Sequence, residues 1–187
     1  TPLSRTVQRE LYQRLFTDQP VEAYLRGTIA ALRAGQLDDL LLYRKRLSKS
    51  ADAYFKAGQW EAMNRARGVV PDVQTYLDAR MVSGAVYPCF DLIAITDHCD
   101  LPESVLRHET VRSLSALANR VISWCNDIYS VDKERQHHDV HNLVLVLQHE
   151  GQLPFDAAMN HAVRIHNQDV ADFLTLAARL PKFGRTI

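Results

Sequence analysis

Helical spacing along nearly the whole chain is the feature that most constrains its fold. Apolar residues recur at intervals of three and four through most of the 187 residues, which is the pattern of one face of an α-helix. Prolines stand near the starts of the periodic segments and glycines near their ends, as helix termini favour. The predicted helices are 4–16, 20–34, 37–66, 72–97, 102–134, 139–149 and 154–180. This pattern predicts an all-α fold, an antiparallel helical bundle, with residues 1–187 in a single domain.

Charge and composition narrow the range of functions. Lys and Arg total 22 and Asp and Glu total 22, so the net charge is zero and no overall field attracts nucleic acid or an anionic membrane. No segment reaches the roughly 18 apolar residues of a membrane span, and the first residues lack the apolar core of a signal peptide. These observations predict a cytoplasmic protein. Its three cysteines, Cys89, Cys99 and Cys125, are expected to be reduced thiols.

One predicted helix carries a stripe of polar side chains. Asn126, Ser130 and Glu134 are spaced four apart, so an amide, a hydroxyl and a carboxylate fall on one helix face. Oxygen ligands of this kind suit Mg²⁺, which usually takes only one or two carboxylates alongside substrate phosphates. Lys133 lies beside the stripe and could meet such a phosphate. A solvated polar surface is the alternative, but the residues upstream read as a strongly apolar helix.

A second signal lies at Gly84 and Pro88. Proline has no N–H and crowds the carbonyl four residues earlier, so Pro88 would free the Gly84 carbonyl from the helix. The sequence therefore predicts a helix break at Gly84, with a carbonyl dipole directed into the bundle. Arg80, one turn before the break, could form a salt bridge with Asp127. Such a pair could also hold the arginine ready for a phosphate, which its planar guanidinium suits.

Together these motifs resemble those of class I terpene synthases. The stretch from Asn126 to Glu134 fills every defined position of that family's N-D-x-x-S-x-x-x-E metal motif, and residues 139–144 look like its D-x-x-N-L-V segment. The resemblance covers about residues 50–180. It implies that Asn126, Ser130 and Glu134 hold one Mg²⁺ of a three-ion cluster that binds a prenyl diphosphate.

The resemblance also implies roles for residues around the break. Arg80 would be the diphosphate sensor, Ser83 the linker and Gly84 the effector, although Ser83 stands where the family often has an acid. The implied reaction is metal-assisted ionisation of farnesyl or geranylgeranyl diphosphate, followed by cyclisation in an apolar cavity. Asp127 and Lys133 would support substrate binding. The aromatic residues that could stabilise the cation, or simply pack in the core, are Phe55, Tyr87, Phe90 and Trp124.

Two parts of the family pattern have no counterpart. Asp38-Asp39 lacks the third acid of the aspartate-rich motif and reads as ordinary helix surface, and Arg185 does not match the closing Arg-Tyr pair. These gaps predict a truncated cyclase domain that lacks its N-terminal and C-terminal portions and has little activity. Exposed apolar helix faces would then favour a homodimer. The alternatives are a non-catalytic interaction module and a prenyl chain-elongating synthase, which would use a second aspartate-rich motif.

Smaller features admit simpler interpretations. His137, His138 and His141 could share a zinc ion, but no HExxH pattern or cysteine pair supports this, and a solvated turn is expected instead. Asn142 is either a helix cap or a site contact. Glu61 has a local partner in Arg65, one turn on.

Overall fold

The chain folds as a set of α-helices. The computed structural model describes residues 40–96 and 101–183, and within those ranges it contains seven helices and no strand. The helices are α1 (Leu40–Arg67), α2 (Val73–Ser83), α3 (Val86–Thr96), α4 (Glu103–Leu106), α5 (Glu109–Gln136), α6 (Leu143–Gly151) and α7 (Phe155–Ala177). The all-α prediction is confirmed.

Helix ends follow their local chemistry. Asp72 caps α2 by accepting the Thr75 N–H at 2.8 Å, one residue after the predicted proline start. Gly68 takes a positive φ of 64° directly after α1, as a glycine C-terminal signal requires. Asn142 caps α6 by accepting the Val144 N–H at 2.9 Å. Helix α6 therefore begins at 143 rather than at the predicted 139, because the cap fixes its start.

One predicted helix is interrupted. The segment expected at 102–134 forms α4 and α5, separated at Arg107 and His108. His108 adopts an extended backbone, and its ring Nδ1 accepts the Thr110 N–H at 3.2 Å, so it caps α5. The apolar periodicity continues across this break, and histidine is not among the usual capping residues, so the sequence analysis predicted one uninterrupted helix.

Helices α5 and α7 run antiparallel, and the buried core lies between these two helices and the helices packed beside them. Trp124 and Arg120 on α5 both bond to Asp169 on α7, while Arg135, near the end of α5, stacks on Phe155 at the start of α7. Helices α2 and α6 close the other sides. The buried core consists of Tyr76, Trp124, Val131, Leu143, Val144, Val146, Leu147, Ala158 and Ala162. One face of α5 lies against α2, and the polar stripe of Asn126, Ser130 and Glu134 is on that face.

Several predictions fall outside the described residues. The helices expected at 4–16 and 20–34, together with Asp38, Asp39, Cys99 and Arg185, belong to ranges that the structure does not describe. Cys89 and Cys125 are free thiols, as expected, and burial raises the pKa of both. None of the helices in 40–96 and 101–183 combines the length and apolarity needed to cross a bilayer.

Candidate active site

The helix is broken at Gly84, the position that the sequence analysis predicted from Pro88. Helix α2 ends at Ser83, Gly84 has an ordinary right-handed φ of −71°, and Ala85 takes a positive φ of 58° before α3 begins at Val86. The Gly84 N–H still donates to the Arg80 carbonyl at 3.0 Å, which completes the last turn of α2. Pro88 has no N–H to return to the Gly84 carbonyl. The predicted break is therefore confirmed.

Two side chains of α5 support this break. Asn119 is fully buried and donates from Nδ2 to the Met81 carbonyl at 2.7 Å, replacing a backbone partner that the break removes. The Ser123 hydroxyl donates to Asn119 Oδ1 at 3.0 Å, and a Cβ on Gly84 would lie only 2.9 Å from Ser123 Oγ. Sequence reasoning missed both residues. Their spacing places Ser123 one turn and Asn119 two turns before Asn126 on the same helix face, but spacing alone does not indicate which helix they meet.

The stripe itself lies on one face of α5. Asn126, Ser130 and Glu134 are each partly buried, and the Ser130 hydroxyl oxygen is inaccessible to solvent with no hydrogen-bond partner in the structure. A buried hydroxyl without a partner calls for a ligand or another explanation. A hard cation would supply one, because its neighbours on the helix face are an amide oxygen and a carboxylate. The donor set therefore fits Mg²⁺.

Arg80 faces the stripe from α2. Its Nε donates to Asp127 Oδ1 at 2.9 Å, and its terminal nitrogen approaches both Asp127 Oδ1 at 2.7 Å and Asn126 Oδ1 at 2.8 Å. The expected salt bridge with Asp127 is thus present. It is largely shielded, since the Arg80 side chain is 14% exposed and that of Asp127 is 0%. The bond to Asn126 places the guanidinium directly beside a proposed metal ligand.

Asp127 is the buried anchor of this network. Besides Arg80, its carboxylate accepts the Tyr76 hydroxyl at 2.6 Å and the Leu143 N–H at 2.9 Å. Burial raises the pKa of Asp127 to about 6, against the opposing effects of Arg80 and of the Tyr76 and Leu143 hydrogen bonds. Burial alone would lower the pKa of Arg80, but the Asp127 charge raises it overall. At neutral pH the pair is therefore ionised.

Asn142 joins the stripe to the next helix. Its Nδ2 donates to Glu134 Oε2 at 2.6 Å and to the Asp127 carbonyl at 2.7 Å, while its Oδ1 caps α6. Glu134 is thereby held on one side by an amide from outside its own helix. Sequence analysis expected Asn142 to be either a helix cap or a site contact, and in the structure it is both.

The four aromatic candidates do not share one location. Trp124 is fully buried and donates its indole N–H to Asp169 Oδ2 on α7 at 2.8 Å. At about 100° per residue, Trp124 lies about 160° around the helix from Asn126 and about 80° from Glu134, to one side of the stripe. A contact between Trp124 and the substrate therefore stays a prediction. Phe55 on α1 is 66% exposed, and Tyr87 and Phe90 form an edge-to-face pair on α3 with ring centroids 6.3 Å apart.

Ser83 and Lys133 complete the predicted set. The Ser83 hydroxyl is buried without a hydrogen-bond partner, like that of Ser130. Lys133 is exposed beside Glu134, near the end of α5. The structure thus brings Arg80, Asp127 and Asn126 into direct contact and sets Ser83 and Gly84 one turn beyond Arg80 on α2. Lys133 lies on an exposed surface of α5 and Phe55 on an exposed surface of α1.

The histidine cluster divides into two environments. His137 and His138 are exposed in the turn after α5, as expected. His141 is buried, so the solvated turn was wrong for this residue. Its ring contacts Asp139 at 3.1 Å and Asn64 at 3.3 Å, and Arg65 bridges Glu61 and Asp139. Within 40–96 and 101–183, no group of three or more His, Cys, Asp or Glu side chains is arranged to hold a metal ion.

Sequence comparisons relate the chain to known proteins. The family model described as "Terpene synthase family 2, C-terminal metal binding" matches residues 6–172. The (+)-T-muurolol synthase ((2E,6E)-farnesyl diphosphate cyclizing) of Roseiflexus castenholzii is 43% identical over 143 residues, which cover 76% of this chain and 44% of that protein. The (-)-delta-cadinene synthase of Streptomyces clavuligerus is 34% identical over 176 residues, covering 89% and 53%.

A solved structure shares the fold. The linalool/nerolidol synthase from Streptomyces clavuligerus, in complex with 2-fluorogeranyl diphosphate, superposes with a TM-score of 0.72. The match covers 82% of this chain and 52% of that one at 24% identity, which is a likeness of fold alone. The chain spans about half the length of the curated relatives it matches.

Proposed function

Because the chain belongs to terpene synthase family 2, whose C-terminal region binds metal, we propose that it carries the diphosphate-binding half of a Mg²⁺-dependent cyclase. The substrate would be a linear prenyl diphosphate, which loses its diphosphate and cyclises. One observation supports this most strongly. The Ser130 hydroxyl is buried without a partner, on the same helix face as Asn126 and Glu134.

Each residue of the site has a distinct task in this proposal. Asn126, Ser130 and Glu134 would hold Mg²⁺, which when bound offsets the negative charge that develops on the departing diphosphate. Arg80 supplies a second positive charge from α2, held in place by Asp127. Its planar donors match phosphate oxygens in pairs. Gly84 follows α2 directly, one turn after Arg80, and Pro88 has no N–H for its carbonyl, which could then face the cation that ionisation leaves.

The names of the relatives support farnesyl diphosphate as the substrate. The relative from Roseiflexus castenholzii is named for cyclising (2E,6E)-farnesyl diphosphate, and several others are named sesquiterpene synthases. We therefore propose a C15 substrate, with geranylgeranyl diphosphate as the comparison. The partly buried pair of Tyr87 and Phe90 offers ring faces for a cation, at about 0.5–2 kcal/mol each. Phe55 lies on an exposed face of α1, and its contact with the substrate stays a prediction.

Calorimetry with inorganic diphosphate tests the proposal. Diphosphate should bind the chain only when Mg²⁺ is present, and Asn126→Ala should weaken this binding. Asn167→Ala is a matched control, because Asn167 is an exposed asparagine on α7. Binding that ignores Mg²⁺, or that both variants affect equally, would contradict the proposal. We also expect little cyclised product from farnesyl diphosphate with this chain alone, since it spans about half of its relatives.

Some predictions go beyond what these observations test. The number of Mg²⁺ ions, the cytoplasmic location, the lack of nucleic-acid and membrane partners, and the homodimer all stay predictions. An interaction module without catalytic function would bind no diphosphate in the same calorimetric experiment. A chain-elongating synthase is not favoured, because Asn126 and Ser130 stand where such an enzyme would use aspartates.

A further inference from the structure

We propose that Asn142 positions Glu134 for metal binding. This inference rests on the proposed function, because it concerns the same metal site. Asn142 lies outside the metal stripe, in the connection between α5 and α6, and is fully buried. Its amide reaches Glu134 Oε2 at 2.6 Å, the shortest of its three hydrogen bonds. It would act as a positioning residue and would not touch the ion.

Helix capping alone does not account for an asparagine here. The cap needs only an oxygen that accepts the Val144 N–H, and serine, threonine or aspartate would serve about as well. The amide NH₂ group is what asparagine adds among these residues. Both of its hydrogens have acceptors, one at Glu134 Oε2 and one at the Asp127 carbonyl. The side chain therefore has a second task besides the cap.

The orientation of the amide follows from its partners. Val144 presents an N–H, so Oδ1 must face it, and the two remaining neighbours are acceptors that require Nδ2. No donor among the described residues contacts the other Glu134 oxygen, Oε1. The bond from Asn142 thus fixes the carboxylate by one oxygen and leaves the other available to a cation. Partners of this kind commonly orient metal ligands and tune their affinity.

The same turn also holds Asp127, which positions Arg80. The Leu143 N–H donates to Asp127 Oδ2 at 2.9 Å, one residue after Asn142. Residues 142 and 143 therefore contact both the proposed metal carboxylate and the anchor of the guanidinium. A shift of this turn would move the two charged parts of the site together.

Mn²⁺ binding, measured by the loss of the free-ion signal in electron paramagnetic resonance, tests the role of Asn142. Asn142→Ser and Asn142→Thr keep a neutral capping oxygen and remove the amide. We expect each to weaken Mn²⁺ binding about 10- to 100-fold, the range seen when such supporting residues are changed. Two variants are used so that the failure of one to fold leaves the other, and circular dichroism confirms the helices. Asn64→Ser is the matched control, because Asn64 contacts His141 and not the stripe.

A double substitution separates positioning from a general structural effect. In a Glu134→Gln background, Asn142→Ser should change the Mn²⁺ affinity less than about threefold, because the carboxylate that it positions is already gone. A full loss in that background would overturn the inference, as would folded variants that bind like wild type or an equal loss in Asn64→Ser. A wild-type chain that binds no Mn²⁺ would instead contradict the proposed function, and the inference with it.

Discussion

The contact between the helix break and α5 leads to a quantitative prediction for Gly84→Ala. An added Cβ would lie 2.9 Å from Ser123 Oγ and 3.1 Å from the Arg80 carbonyl oxygen. Backbone strain is not involved, since φ at Gly84 is −71°. The new methyl group must therefore displace Ser123, the α2 backbone, or both.

The cost can be estimated from these contacts. Rotating Ser123 away would forfeit its 3.0 Å hydrogen bond to Asn119, worth about 0.5–1.5 kcal/mol. The carbonyl contact remains, and overpacking of this kind typically costs about 1–3 kcal/mol. Reduced freedom of the unfolded chain would return about 0.4–1 kcal/mol. We expect Gly84→Ala to lower the free energy of unfolding by about 1–4 kcal/mol.

Urea denaturation followed by circular dichroism measures this change. Gly58→Ala is the control, because Gly58 lies within α1 and a Cβ there would meet nothing within 4 Å. That variant should be more stable by about 0.5–1 kcal/mol. Adding Ser123→Ala to Gly84→Ala should recover part of the loss. If Gly84→Ala is as stable as Gly58→Ala, or if the Ser123 and Gly84 effects simply add, the close approach is not as the structure shows it.

Three further measurements test other parts of the structure. Trp124→Phe should cost about 1–3 kcal/mol by leaving Asp169 Oδ2 without its indole donor; a variant as stable as the wild type would contradict this hydrogen bond. Asp72→Ala should lower the free energy of unfolding and Asp72→Asn should lower it much less, because asparagine also caps; equal losses would refute the cap. The Asp127 carboxyl carbon should titrate near pH 6 by NMR, and a midpoint near 4 would contradict its burial. The pKa of Asp127 is raised from 3.8 to about 6 in the folded state, so the folded protein binds this proton more tightly than the unfolded chain. The contribution of Asp127 to the free energy of unfolding is therefore greatest below about pH 4 and is lost as the pH rises through about 6.

The features that sequence analysis predicted depend on short-range rules. Pro88 removes an N–H from a known position, so the break at Gly84 followed without knowledge of the rest of the fold. The spacing of Asn126, Ser130 and Glu134 likewise determines that they share a helix face. The same rule places Trp124 to one side of that stripe, about 160° from Asn126 and about 80° from Glu134, and its indole meets α7 there.

The features that were missed depend on which helices meet. Asn119 and Ser123 matter because α2 breaks against them, and no spacing within α5 indicates where another helix will end. The two hydrogen bonds from the Asn142 amide depend on how the chain turns between α5 and α6. His108 separates α4 from α5 through a ring nitrogen, which propensity does not anticipate. These contacts form only once the helices are packed.

The most direct test of the account is to locate the metal. Crystals of the chain grown with Mn²⁺ and inorganic diphosphate would give an anomalous-difference peak for the ion. We expect that peak about 2.0–2.3 Å from Asn126 Oδ1, Ser130 Oγ and a Glu134 carboxylate oxygen, with the diphosphate within hydrogen-bonding distance of Arg80. A peak held by other residues, with the Ser130 hydroxyl still buried and unpartnered, would contradict the proposed site.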